Sequence, residues 1–294
     1  MQQTSHSHNG TESSGIATLV GGGRLIEVVD VGANPIDGEP PYAPLLAAGV
    51  ARVTGFEPQE SAFVELSAMT DERRRYLPYA VGDGLEHELR VCSESGFTSM
   101  LEPDPGQLAL LTDFPRMAAV TQRQVMATRR LDDITEIEHL DFLKIDIQGG
   151  ELQAFGGGGR LLGEAVAVQT EVGFTRLYRD QPTFAEVDLE LRTHGLIPHR
   201  FVGTKTWPLA PVQWAEPLQE DARHLVEADV LYVRDLAALD GCSEDQLRHL
   251  ALICDLAYGT YGVTVVCLNE LVRRGDLDEP DVARYRTRLN GRSR

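Results

Sequence analysis

Five short apolar runs, each closing on or carrying an acidic residue, restrict the fold of this chain more than any other feature. They are Leu25–Val31 with Asp30, Arg52–Phe56 followed by Glu57, Tyr76–Val81 followed by Gly82 and Asp83, Phe142–Ile147 with Asp146, and Ala165–Val172 with Glu171. Between them lie stretches of helical texture: Tyr42–Ala48 closed by Gly49, Ser61 to about Asp71, a segment opening near Glu151, and Phe184–Thr193 closed by His194-Gly195. Such alternation predicts an α/β fold, a mostly parallel sheet with crossover helices on both faces. Further strands near Pro198–Val202 and Asp229–Val233 would complete the sheet. In an open sheet of this kind ligands bind beyond the carboxyl ends of the strands, so the acidic strand ends are the first candidates for function.

The chain of 294 residues, 42% hydrophobic and 24% charged, is long enough for one sizeable α/β domain with an appendage. The expected division is a disordered tail over 1–15, the sheet domain over 16–235 and a helical C-terminal extension over 236–294. In the extension Leu247, Leu250, Ile253 and Cys254 repeat at helical spacing, a stripe suited either to an internal core or to a homodimer interface. A net charge of −18 opposes binding to nucleic acid, and the arginines from Arg284 onward read as a solvated helix end. No apolar run is long enough to span a bilayer, and no basic-then-apolar leader opens the chain. Cys92, Cys242, Cys254 and Cys267 form no CxxC pair, which argues against structural zinc and a disulfide framework and for a reducing, cytoplasmic setting.

The strand ends carry specific chemistry. Gly32, without a Cβ, lets backbone approach a ligand closely, but Asp30-Val31-Gly32-Ala33-Asn34 lacks the GxGxxG spacing of a dinucleotide loop. Glu57, turned by Pro58, is placed to accept both hydroxyls of a ribose. Residues 85 to 130 break the alternation, with short strands at Leu89–Cys92 and Thr121–Thr128, and form the natural cover over a site. Lys144 and Asp146 lie on one side of their strand. Their bland reading is a structural ion pair.

Taken together, Asp30–Asn34, Gly55-Phe56-Glu57-Pro58, Ala80-Val81-Gly82-Asp83 and the segment Leu143-Lys144-Ile145-Asp146-Ile147-Gln148-Gly149-Gly150-Glu151 resemble the FkbM-type methyltransferases. Leu131-Asp132-Asp133 and Glu171 with Leu177–Pro182 extend the likeness over roughly residues 25 to 235. The resemblance implies a class I methyltransferase Rossmann-like sheet, S-adenosylmethionine as cofactor, and methylation of a hydroxyl on a sugar or natural product. It implies cofactor contacts at Asp30, Gly32, Asn34, Glu57, Pro58, Val81, Asp83 and Asp146, with the acid of the first loop suited to a cationic sulfonium compound. The first motif departs from the family at Pro35–Pro41, where Gly38 takes the second glycine's place from a longer loop.

For an alcohol acceptor the enzyme must position an oxygen and remove its proton. Asp146 is the leading base, with Glu171 as helper and Lys144 beside them. Tyr178 and Arg179 are candidates for the acceptor pocket or for packing and surface. Asp146, Glu151 and Glu171 also leave open a Mg²⁺ site, although no metal is expected. Methylation of a small carboxylic acid, or S-adenosylmethionine binding without catalysis, stand as alternatives. A small-molecule acceptor is the expected partner in each case.

Overall fold

The computed structural model describes residues 14–34, 38–210 and 222–291. The chain divides into two compact units, one made of Glu27–Gly38 and Val53–Asp235, the other of Met1–Ile26, Glu39–Arg52 and Leu236–Arg294. The expected tail over 1–15 lies outside the described residues up to residue 13, as do Pro35, Ile36 and Asp37 of the departing loop.

The first unit holds the sheets. Its strands are β1 (Ile26–Val31), β2 (Ala51–Phe56), β3 (Arg74–Leu77), β4 (Ala80–Val81), β5 (Glu86–Cys92), β6 (Val120–Arg129), β7 (Phe142–Ile145), β8 (Ala167–Gly173), β9 (Leu196–Pro208) and β10 (Arg223–Arg234), the first two entering from the neighbouring segments. Seven of them form one sheet in the order β3-β2-β1-β7-β8-β10-β9. β2 runs parallel to β3, β1 to β7 and β7 to β8, whereas β10 is antiparallel to both β8 and β9. The chain builds outward from β1 through β2 and β3, then returns to lay β7 on the other side of β1. The carboxyl ends of β1 and β7 are therefore the switch point at which such sheets open a crevice. β8 is buried along its whole length, as a central strand covered on both faces must be. Val29, Val31, Leu143, Ile145 and Val168 from the strands pack with Phe155, Leu161, Leu162 and Leu191 from the helices Glu151–Gly156, Gly159–Glu164 and Phe184–Thr193.

Tyr76–Val81 does not form the single strand its pattern suggests. Pro78 has no N–H to give a ladder, so β3 ends at Leu77 in the large sheet and Ala80–Val81 starts a second one. This second sheet has the order β4-β6-β5 and carries the region expected as a cover. Beneath it Cys92, Phe97, Leu108, Leu111, Phe114, Leu177, Tyr178 and Val226 form a smaller apolar cluster, with Phe97 edge-on to Phe114.

The second unit is helical: Ser14–Val20, Ala43–Ala47, Glu244–Leu252, Tyr261–Arg274 and Glu279–Gly291, with a wide turn over Ile253–Ala257. Ser243 caps its helix by accepting from Gln246 N at 3.1 Å while the Gln246 side chain accepts from Ser243 N. Arg274 closes the next helix by donating to the carbonyls of Cys242 and Leu239 at 2.7 and 2.8 Å. Leu247, Leu250, Ile253 and Cys254 are all buried, so the stripe read from the sequence is core. Cys92 and Cys267 are buried thiols as well. Among the described residues no helix is long and apolar enough to cross a membrane.

Phe155, fully buried between helix and sheet, sets the expected stability scale. Phe155→Ala should cost about 3–5 kcal/mol in urea unfolding, whereas Val64→Ala, on the exposed side of its helix, should stay within about 0.5 kcal/mol.

Candidate active site

The site begins with a close passage of two backbones. After β1 the chain turns at Gly32, whose φ is 76°, and a Cβ built there would stand 2.1 Å from the carbonyl oxygen of Asp146. Only glycine satisfies both conditions. Asp146 N donates to Val31 O at 3.1 Å, and the N–H groups of Gly32 and Ala33 both reach Phe56 O, at 3.0 and 3.1 Å. The ends of β1, β2 and β7 are thus joined through main chain alone.

Lys144 secures this junction from within the sheet. It stands in register with Asp30 on the adjacent strand, its Nζ 3.3 Å from Asp30 Oδ1 and donating to Gly32 O at 3.1 Å. The partner of Lys144 is therefore Asp30, not Asp146 as the face rule along a single strand suggested. Asp30 is buried and meets the lysine rather than open space.

Beyond the junction lies a cleft of about 950 Å³, its open mouth included. Gly32, Asn34, Glu57, Pro58, Val81 and Asp146 line it, six of the eight positions expected at the cofactor. Asp30 and Asp83 do not. The Asp83 carboxylate caps the Gly84 turn by accepting from Leu85 N at 2.9 Å and lies 2.8 Å from His87 Nε2. Glu57 is buried, with Oε1 accepting from Gln59 N at 2.7 Å. Burial pushes its carboxyl above the ordinary value against that hydrogen bond, and the charge of Asp30 adds to the rise.

The roof of the cleft is the segment Ser95–Met100, with Leu89 and Tyr79. It is pinned by charge: Arg90 Nε donates to Glu102 at 2.6 Å and its Nη1 to Met100 O at 2.6 Å, while Arg123 Nη2 meets the other Glu102 oxygen at 2.8 Å. Hydrogen bonds from Arg123 and Arg90 pull the Glu102 carboxyl down to about 2. The roof also touches the floor, Ser99 Oγ donating to Gln148 O at 2.6 Å.

Behind Asp146 stands a group of side chains that strand-end reasoning only partly found. Gln148 Nε2 donates to Asp146 Oδ1 at 3.0 Å and to Glu171 Oε1 at 2.9 Å. Glu171 is buried and does not line the cleft; its other oxygen pairs with Lys205 of β9, which lies 3.7 Å from Glu227 of β10. Burial, then the charges of Asp146 and Glu227, raise Glu171 well above a normal carboxyl, and burial raises Glu227 to about 7. Burial lowers the Lys205 ammonium, but Glu171 and Glu227 outweigh this and hold it charged. Tyr178 is buried, its hydroxyl donating to Phe97 O at 3.1 Å and lying 3.3 Å from Gln148 Oε1. Arg179 is joined to the roof through its main chain, donating to Glu102 O at 2.8 Å.

Glu151 closes the set. Its Oε1 accepts from Ile147 N at 2.8 Å, an acidic cap at the start of its helix. Asp146 and Glu171 share the Gln148 amide while Glu151 is held by Ile147 N, and among the described residues no three His, Cys, Asp or Glu side chains converge as metal ligands. Gln148 entered the sequence reading only as part of the fourth motif, and Lys205 and Glu227 did not enter it. The acids Glu227 and Asp229 inside the otherwise apolar run Leu225–Val233 were the visible signal.

The family model of the methyltransferase FkbM domain matches residues 30–197, more than half of the chain and all of the site but Lys205 and Glu227. No curated protein matches the sequence. Among solved structures the chain is similar to precorrin-6Y C5,15-methyltransferase from Geobacter metallireducens, at 7% identity, 80% of this chain and 94% of that one, with a TM-score of 0.37. It is similar to an S-adenosylmethionine-dependent methyltransferase from Aquifex aeolicus, at 10% identity, 75% and 89% coverage and a TM-score of 0.31. M. jannaschii TYW2 in complex with AdoMet gives 10% identity, 78% coverage of each chain and a TM-score of 0.31.

Two outcomes test this geometry. Gly32→Ala should lose about 2–4 kcal/mol of stability, through strain at positive φ and the clash with Asp146 O, read by chemical unfolding. Glu151, buried, is pushed up to about 7 by burial. A raised carboxyl favours the folded state most below its unfolded value of about 4.3, and that contribution is lost as the pH rises through the folded value. Glu151→Gln keeps an acceptor for Ile147 N and should flatten the fall in melting temperature between pH 5 and 8. An unchanged slope would place the proton elsewhere.

Proposed function

The chain belongs to the FkbM methyltransferase family, and we propose that it methylates a neutral hydroxyl of a small molecule, a sugar or natural product, with S-adenosylmethionine as donor. The observation that supports this most is the charge of the cleft wall. Glu57 and Asp146 line it, and among the described residues no lysine, arginine or histidine does. Such a wall suits a cationic sulfonium compound and repels a pyrophosphate or a carboxylic acid. The cations nearby are committed: Lys144 to Asp30 and Gly32 O, Lys205 to Glu171.

When bound, S-adenosylmethionine supplies a methyl carbon already activated for displacement. Gly32 and Asn34 would offer the loop surface that holds it, with Val81 and Pro58 as apolar contacts. Glu57, one oxygen fixed by Gln59 N, would accept from the ribose hydroxyls. Asp146 would take the proton of the acceptor hydroxyl, with Gln148 fixing its Oδ1 and thereby the direction in which the carboxylate faces. The pinned roof Ser95–Met100 would keep water from the reacting oxygen.

Calorimetry with S-adenosylmethionine and S-adenosylhomocysteine tests the donor side. Glu57→Gln should weaken binding at least tenfold, about 1.5–3 kcal/mol for hydrogen bonds to a charged group, and absence of binding by the wild type removes the cofactor reading. Labelled cofactor offered with sugars, polyketides and carboxylic acids tests the acceptor side. Asp146→Asn should lower kcat by about 10²- to 10⁴-fold on a hydroxyl acceptor; full turnover in that variant, or preference for a carboxylic acid, would overturn the hydroxyl assignment.

A further inference from the structure

Among the described residues, the side-chain amide of Gln148 bridges the cleft carboxylate Asp146 and the buried group behind it. Its Nε2 donates to Asp146 Oδ1 at 3.0 Å and to Glu171 Oε1 at 2.9 Å, one hydrogen for each carboxylate. Its Oε1 faces the Tyr178 hydroxyl at 3.3 Å, which fixes which end of the amide turns toward the acids. The backbone is held just as firmly. Gln148 stands at φ 54°, where non-glycine residues rarely settle, and its carbonyl accepts from Ser99 Oγ of the roof at 2.6 Å. A side chain with two donors in one plane and one acceptor opposite is the chemistry this place requires. A carboxylate there would face two others, and an apolar residue would take this donor from both, leaving Glu171 with Lys205 alone.

We propose that Gln148 is a positioning residue for the transfer reaction, its amide holding Asp146 turned into the cleft and joining it to the Glu171–Lys205–Glu227 group. The proposal rests on the assignment of Asp146 as proton acceptor. From Asp146 the contacts run through Gln148 to Glu171, then to Lys205, which is half-exposed at the far end. The charged and titratable groups acting on this unit are Glu151 from the following helix, Glu171 from β8, Tyr178 with Cys92 of β5 beside it, Lys205 from β9, and Glu227 and Asp229 from β10. Of these, Glu171 is the one that shares the Gln148 amide with Asp146. Loss of the amide therefore removes a donor from two neighbouring acids at once, and both should hold their protons to higher pH.

Two substitutions test this without relying on one variant to fold. Gln148→Asn keeps a residue that accepts positive φ and withdraws the amide by one methylene. Gln148→Glu keeps the shape, removes the donors and adds a third carboxyl. Thermal melts establish that each is folded. The readout is the ¹³C carboxyl titration of the ligand-free protein, with the Asp146 resonance assigned by its loss in Asp146→Asn. Both variants should move the Asp146 transition upward by at least one pH unit, a tenfold change in proton affinity, with the larger move in Gln148→Glu. The acid limb of kcat should follow. An Asp146 transition that does not move in either folded variant would overturn the proposal and leave Gln148 as packing. Titrations that move as expected while Asp146→Asn keeps its turnover would instead overturn the base assignment and retain the Gln148 linkage.

Discussion

Gly32 and the Asp146 carbonyl pass so closely that no side chain fits between them, and the rest of the site depends on that contact. It brings the end of β1 against the end of β7, and the paired donors of Gly32 and Ala33 bring in β2 through Phe56 O. Lys144 then ties the same turn from below, to Asp30 and Gly32 O. Three strand ends become one rim made of main-chain hydrogen bonds, which do not rearrange with side-chain rotamers. Glu57 and Asp146 ride on this rim, so the spacing of the two carboxylates that give the cleft its sign is inherited from the sheet rather than from a loop.

This explains which residues were legible in the sequence. A strand end announces itself by an apolar run that stops at a polar residue, and Gly32, Glu57 and Asp146, picked that way, line the cleft. Asp30 and Asp83, picked by the same rule, do not line it, because the rule knows where a residue sits but not what faces it. Asp30 meets a lysine one strand over, and Asp83 serves its own turn. Pro78 was in plain view, yet the run through Tyr76–Val81 hid the change of sheet it causes. The fold class survived these errors because it rests on the order of elements, while the site rests on pairings between strands far apart in sequence. Lys205 and Glu227 belong to an antiparallel pair more than thirty residues beyond Glu171, and no local pattern reports such a meeting.

The wall charge and the buried group behind it are two parts of one electrostatic arrangement. Asp146, Glu171 and Glu227 crowd around a single ammonium on Lys205. Removing so many acids from water costs more than one cation returns, which is why burial drives Glu171 and Glu227 upward. Glu171 and Glu227 therefore hold their protons to higher pH than exposed carboxyls do, even with Lys205 paired to Glu171. Such an arrangement is a poor way to stabilise a fold, and hydrophobic residues would pack β8 against β10 at lower cost. Perturbed acids gathered behind a cleft are instead what proton chemistry uses.

The roof is held by a different kind of charge. Glu102, held ionised by Arg90 and Arg123, keeps the roof closed by groups whose charges do not change anywhere near neutral pH. Glu171 and Glu227, whose carboxyls burial raises, lie behind the floor, joined to Asp146 through Gln148 and bordered by the half-exposed Lys205. The clamp and these raised acids therefore keep to different pH ranges. The two systems touch at Ser99, bonded to the backbone of Gln148, and at Tyr178, bonded to Phe97 O, in both cases through a neutral hydroxyl donating to a carbonyl.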